Sequence, residues 1–302
     1  MPDAPNPART LFVGCGVALV TPFDARGAIH EPVLRDLVRF HLRERTDALV
    51  VNGSTGEAST LSADEQRRAV EIVVDEAGKR IPVVAGAGGS DTAAVSALAR
   101  GAREAGADAL LIAPPPYNKP PQRGIVAHFR AVMDAGQLPA IAYNVPGRTA
   151  CNITPETMEL LAEDERIVGV KEASGDISQV AEVCRRVAHT VAVYSGNDDQ
   201  VVPLMALGGV GVISVLANIA PRDTARMAHA FLEGNVAEAR ALQLRYLPLV
   251  AAIFREASPI PIKAAVAMLG HDVGEPRLPL VPASDAVRAE LAEAMRAAGV
   301  ER

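Results

Sequence analysis

The sequence predicts a closed (β/α)8 barrel of parallel strands with a C-terminal extension of three helices. Two observations predict it. Eight short apolar runs, rich in Val and Ile, recur between residues 13 and 215, and a longer amphipathic segment follows each of them. Parallel neighbours need crossover connections, so this alternation implies a parallel sheet, and eight units close most economically into a barrel. An open doubly wound sheet is the alternative, but no GxGxxG follows the first run.

The apolar runs are 13–20, 48–52, 81–86, 109–113, 139–143, 167–171, 191–195 and 210–215. None shows strict polar alternation, which is how strands buried on both faces read. Helical patterns occupy 31–45, 62–77, 91–105, 121–135, 154–164, 176–188, 198–207 and 221–233. Segment 62–77 opens on Ser62 with Glu65 three residues on, a capping box. Segment 91–105 opens on Asp91, and 154–164 on Thr154-Pro155, a cap followed by proline at the first helical position. Three further patterns (235–255, 259–269 and 283–298) form the extension. The expected organisation is a flexible arm over 1–10, a catalytic barrel over 11–234 and the helical extension over 235–302.

Composition narrows the function. The 302 residues are 49% hydrophobic and 22% charged, which excludes disorder over most of the chain. A net charge of −6 argues against a broad cationic face for nucleic acid. No apolar run approaches the roughly 18 residues of a membrane span, and the polar, proline-rich start does not read as a signal peptide. Cys15, Cys151 and Cys184 are widely spaced, and neither they nor the six histidines form a metal-ligand pattern. A reducing cytoplasm, with no metal and no cofactor motif, is the expectation.

In such barrels the chemistry sits at the C-terminal ends of the strands. Gly53-Ser54-Thr55-Gly56-Glu57 follows the second strand and reads either as an ordinary turn or as a cradle for a small anion. A stiff proline loop after the fourth strand carries Tyr117, either as cover or as a functional phenol. The fifth strand ends in Tyr143, with Arg148 five residues on: a proton relay and a carboxylate clamp, or a core tyrosine and a solvated arginine. Strand ends seven and eight bring Gly196 and Ile213, which read as pocket wall.

The sixth strand ends in Lys171. Only four of the thirty basic residues are lysines (Lys79, Lys119, Lys171 and Lys263), so each invites the question of what arginine could not do there. A lysine buried in an apolar barrel loses its proton readily, and the neutral amine attacks ketones to form a Schiff base. Lys79 lies in a polar turn, Lys119 in the proline loop, and Lys263 opens a C-terminal helix; each is a weaker candidate. The residues by themselves describe a lysine-dependent carbonyl enzyme.

Six motifs in order carry a resemblance over about residues 12–298: Gly53–Glu57, Tyr117-Asn118, Tyr143–Pro146, Gly169–Glu172, Ser195-Gly196 and Gly211–Ser214. The chain resembles the class I aldolase family of dihydrodipicolinate synthase and N-acetylneuraminate lyase. Arg148-Thr149, Pro259–Lys263 and Arg277–Pro279 are similar to the synthase branch. The resemblance implies that Lys171 forms an imine with pyruvate, whose enamine attacks L-aspartate 4-semialdehyde to give 4-hydroxytetrahydrodipicolinate on the way to lysine. It implies Tyr143 as general acid/base and Ser54 and Tyr117 as a hydroxyl relay, Tyr117 arriving from a neighbouring subunit. It further implies Gly53, Ser54 and Thr55 at the pyruvate carboxylate, Arg148 at the semialdehyde carboxylate, Ile213 and Gly196 in the pocket wall, and a homotetramer built as a dimer of dimers. A sister aldolase or dehydratase acting on another aldehyde or keto-acid sugar is the alternative. Ser54 stands where the synthase branch usually carries threonine and keeps the hydroxyl. Pro116, Ala63, Gln66, Ser90 and Ala94 stand where lysine-sensitive members carry mostly polar groups, so weak or absent inhibition by L-lysine is expected.

Overall fold

The structure, a computed structural model, describes residues 7–301. Eight parallel strands close in sequence order into a barrel: β1 (Gly14–Ala18), β2 (Ala48–Val51), β3 (Val83–Ala87), β4 (Ala109–Ile112), β5 (Ala140–Asn144), β6 (Ile167–Glu172), β7 (Ala192–Ser195) and β8 (Gly211–Ser214). Each falls within or beside its predicted apolar run. β8 pairs with β1, with Gly14 opposite Gly211, so no sheet edge is left open.

Three helices begin where the sequence places caps. Ser62 and Glu65 form the reciprocal capping box of helix Ala63–Ala77. Asp91 accepts from the N–H of Ala93 and Ala94, and Thr154 from that of Thr157. Each such cap stabilises its helix by about 1 kcal/mol. A short helix, Pro146–Thr149, was not anticipated; it occupies the loop after β5 and carries Arg148.

Two apolar layers hold the molecule. The larger lies between strands and helices and includes Leu34, Ile72, Phe129, Val183 and Leu291. The smaller fills the barrel interior with Val50, Val84, Ile141, Tyr194 and Ile213. Phe12 plugs the base, its ring stacked on Tyr194 at 4.5 Å, and the Tyr194 hydroxyl donates to Phe12 O at 2.6 Å. A Cβ on Gly16 would come within 2.8 Å of the Phe12 ring, so this plug requires glycine on β1.

Residues 1–6 of the expected arm lie outside the described residues. Residues 7–10 are tied down rather than loose. Arg9 bridges to Val191 just before β7, and its guanidinium donates to Asp164 O at 2.6 Å and to Ala162 O. The arm thus satisfies backbone acceptors at the base of the barrel, a role that its polar, proline-rich composition does not announce.

The last three helices, Val236–Ile253, Ile260–Met268 and Asp285–Ala298, pack on one another, and the first of them packs on helix Pro221–Leu232. No helix among the described residues is long and apolar enough to cross a membrane.

Candidate active site

Alternation along β6 points Lys171 and Glu172 to opposite faces. Glu172 joins a buried network between β5 and β6. Its carboxylate accepts from Asn144 Nδ2 at 3.1 Å and from the Ser174 N–H at 2.8 Å, and Asn144 also donates to Asn152 at 2.9 Å. This network pins the register that sets Tyr143 opposite Lys171.

Lys171 faces the barrel mouth and is only 4% exposed. Its Nζ lies 4.3 Å from the centre of the Tyr143 ring. Among the described residues it enters no ion pair. Burial lowers its pKa to about 8; Asp198 opposes that fall, and the Arg148 charge adds to it. The amine is therefore partly neutral at physiological pH, the form that attacks a carbonyl.

Tyr143 is buried at the same end. Burial raises its phenol above the ordinary value, while the Arg148 charge and the Ser54 side chain pull it back. Those two influences place Ser54 and Arg148 around the phenol. A phenol with donors and a cation beside it can give a proton and stabilise the resulting charge.

Ser54 and Thr55 sit in the turn after β2. Gly56 N–H donates to Gly53 O at 3.0 Å and Glu57 N–H to Ser54 O at 3.2 Å. Thr21 Oγ1 fixes the turn by donating to Gly56 O at 2.7 Å. The N–H groups of Ser54 and Thr55 donate to no other group of the described residues. Two adjacent free donors and two hydroxyls are a site for a small carboxylate.

A Cβ on Gly196 would lie 3.2 Å from Lys171 Cε and 2.6 Å from Ala173 Cβ. Only glycine leaves room for the lysine stem there. Ile213, fully buried on β8, lines the interior on the other side. Arg148 stands at the rim and donates to Ser258 O at 3.1 Å, leaving most of its guanidinium free.

The structure thus brings together Lys171, Tyr143, Ser54, Arg148 and Gly196. Tyr117 stands apart. It is 89% exposed at the tip of the proline loop and has a left-handed backbone, φ 69°.

Asp198 is the residue that sequence reasoning missed. It is buried two residues beyond Gly196 and close enough for its charge to act on Lys171. Its carboxylate accepts from Ser214 Oγ at 2.5 Å and from the N–H of Val215 and Leu216, each at 3.0 Å. Burial raises its own pKa, opposed by these donors and by Lys171. The only signal in the sequence was an acidic pair directly after a strand end. Among the described residues no cluster of His, Cys, Asp or Glu is arranged to hold a metal ion.

Known proteins resemble this chain over most of its length. A 4-hydroxy-tetrahydrodipicolinate synthase from Thermoanaerobacter sp. (strain X514) is 49% identical over 276 residues, covering 91% of this chain and 93% of its own. The crystal structure of dihydrodipicolinate synthase from Aquifex aeolicus superposes with a TM-score of 0.93 at 39% identity, covering 96% of this chain and 99% of that one. The structure of the Cyanidioschyzon merolae protein with lysine bound gives a TM-score of 0.93 at 40% identity, covering 97% and 100%. The sequence profile of the dihydrodipicolinate synthetase family matches residues 11–298, and the chain belongs to that family.

Proposed function

We propose that the chain condenses pyruvate with L-aspartate 4-semialdehyde to give 4-hydroxytetrahydrodipicolinate, a lyase-type step of lysine and diaminopimelate biosynthesis. The observation that carries this reading is the Lys171 amine: buried, in no ion pair among the described residues and 4.3 Å from the ring of a buried phenol.

The neutral amine adds to the pyruvate ketone, and loss of water leaves an imine. The Ser54 and Thr55 donors hold the pyruvate carboxylate, with Gly53 and Gly196 allowing close approach and Ile213 against the methyl side. Loss of a methyl proton gives the enamine, whose carbon attacks the semialdehyde carbonyl. Tyr143 protonates the new alkoxide, and Ser54 and Tyr117 relay protons to solvent. Arg148 holds the semialdehyde carboxylate from the rim. The semialdehyde amine then displaces Lys171 from the imine carbon, closing the ring and freeing the enzyme.

In this reading Tyr117 serves the pocket of another copy of the chain. Its exposed ring on a strained, proline-bound loop supports a homotetramer arranged as a dimer of dimers. Three buried free cysteines support a reducing, cytoplasmic setting. Gln66 spends its side-chain amide on Ala58 O at 3.0 Å and Leu61 O at 3.3 Å, which supports weak or absent inhibition by L-lysine.

Borohydride reduction with pyruvate followed by peptide mass analysis tests the reading. It should label Lys171. Turnover should favour aspartate semialdehyde over a panel of other aldehydes and keto-acid sugars. An unlabelled Lys171, or preferential turnover of another aldehyde, overturns it.

A further inference from the structure

A second buried lysine lies outside the reacting centre. Lys263, in helix Ile260–Met268 of the C-terminal extension, and Glu57, the last residue of the turn after β2, each have side chains 1% exposed. Lys263 Nζ donates to Glu57 Oε1 at 2.7 Å, and the Arg277 N–H donates to Glu57 Oε2 at 2.9 Å. Both carboxylate oxygens of Glu57 are thus held by the extension. Glu57 itself has a left-handed backbone, φ 56°, a conformation that a non-glycine residue keeps only when its surroundings enforce it.

The anchor is rigid in turn. Lys263 Nζ also donates to Glu275 O at 3.2 Å and sits 4.1 Å above the Phe23 ring. The Arg277 guanidinium lies 4.3 Å over the same ring and binds Glu65 Oε1 at 2.5 Å and Thr60 O at 2.9 Å. The segment that leaves the turn, residues 57–65, is therefore clamped to the extension at both ends.

Stability is a poor reason for such a pair, because desolvating two charges costs about what their attraction returns. Geometry is a better one. The ammonium faces two oxygen acceptors and an aromatic face; a guanidinium would bring five N–H donors to a site with partners for fewer. This is a place where arginine, used almost everywhere else in the chain, does not serve.

We propose that Lys263 is a positioning residue for the substrate carboxylate: through Glu57 it holds the Ser54–Thr55 donors in the orientation that receives pyruvate. The proposal rests on the reading of that turn as the pyruvate cradle. The extension is then a structural part of the substrate site rather than an appendage on the barrel.

The test compares wild type with the double variant Glu57→Gln/Lys263→Met, which removes both charges and leaves none unpaired. Melting temperature, KM for each substrate, kcat and borohydride labelling of Lys171 are measured. The expected result is a folded protein whose KM for pyruvate rises about tenfold. The KM for aspartate semialdehyde should stay unchanged, and Lys171 should label fully at saturating pyruvate. A folded double variant with unchanged KM for pyruvate overturns the proposal. So does a variant in which both KM values and kcat worsen together, since that is general loosening. If the double variant does not fold, Glu57→Gln decides, because it keeps an acceptor for one donor and loses the other. A selective rise in the pyruvate KM supports the proposal and no rise refutes it. Failure of wild type to label with pyruvate would instead refute the underlying function.

Discussion

Lys171 and Lys263 make an internal control. Both are buried, and both ammonium groups lie just over 4 Å from the centre of an aromatic ring. Burial lowers the pKa of both. They differ in what faces the nitrogen. Lys263 has the Glu57 carboxylate at 2.7 Å, which holds its proton in place. Among the described residues Lys171 touches no carboxylate and feels a counter-charge from Asp198, whose own oxygens are taken by Ser214 and two backbone N–H groups. Burial alone therefore does not free an amine to act as a nucleophile; a contacting counter-charge keeps the proton on it, and the proposed role falls to the lysine without one.

The strongest way to break this contrast is Lys171→Arg. The charge stays but the amine is lost, so the borohydride adduct should vanish and kcat should fall by about 10⁴-fold or more, with the circular dichroism spectrum unchanged. An adduct at Lys263 in that variant would erase the distinction.

Stability should separate the two lysines in opposite directions. Lys263→Met leaves Glu57 buried and unpaired and should destabilise by about 3–5 kcal/mol in urea unfolding. Lys171→Met removes a charge that has no contacting partner and should stabilise by about 1–3 kcal/mol near pH 7. The pH dependence fixes the sign. The folded pKa of Lys171 is below its unfolded value, so folding is penalised in full below about pH 8 and not at all above the unfolded pKa. The gain from Lys171→Met should shrink as pH rises through that window. A gain that holds at high pH would trace to packing instead.

Arg148→Ala should raise the KM for aspartate semialdehyde by roughly 10- to 100-fold, the worth of a charge-assisted bond to a carboxylate. Pyruvate labelling of Lys171 should persist. The smallest expected effect belongs to Asp198→Asn. Imine formation in wild type should rise with pH and level off above about 8. Removing the Asp198 anion lowers the lysine pKa further, so the rise should move to lower pH in stopped-flow trapping. A shift to higher pH would contradict the role given to Asp198.

The barrel was legible because strands buried on both faces must be continuously apolar, and because Ser62, Asp91 and Thr154 announce their helices by local hydrogen bonding. Lys171 and Tyr143 were legible as polar residues ending apolar runs. The remainder depends on partners distant in sequence. Lys263 reads as an ordinary helix opener until the fold brings Glu57 across 206 positions. Asp198 reads as a loop acid until Ser214, 16 residues on, and two N–H groups enclose it. Residues 7–10 read as an arm because backbone carbonyls at the barrel base leave no trace in side-chain composition.

That docked segment also sets an orientation. Arg9 fastens the entering chain where the strands begin, and Lys171 opens where they end. Residue 7 therefore lies at the pole facing away from the mouth, and a tag joined ahead of it starts on the side of the barrel opposite the Lys171 amine.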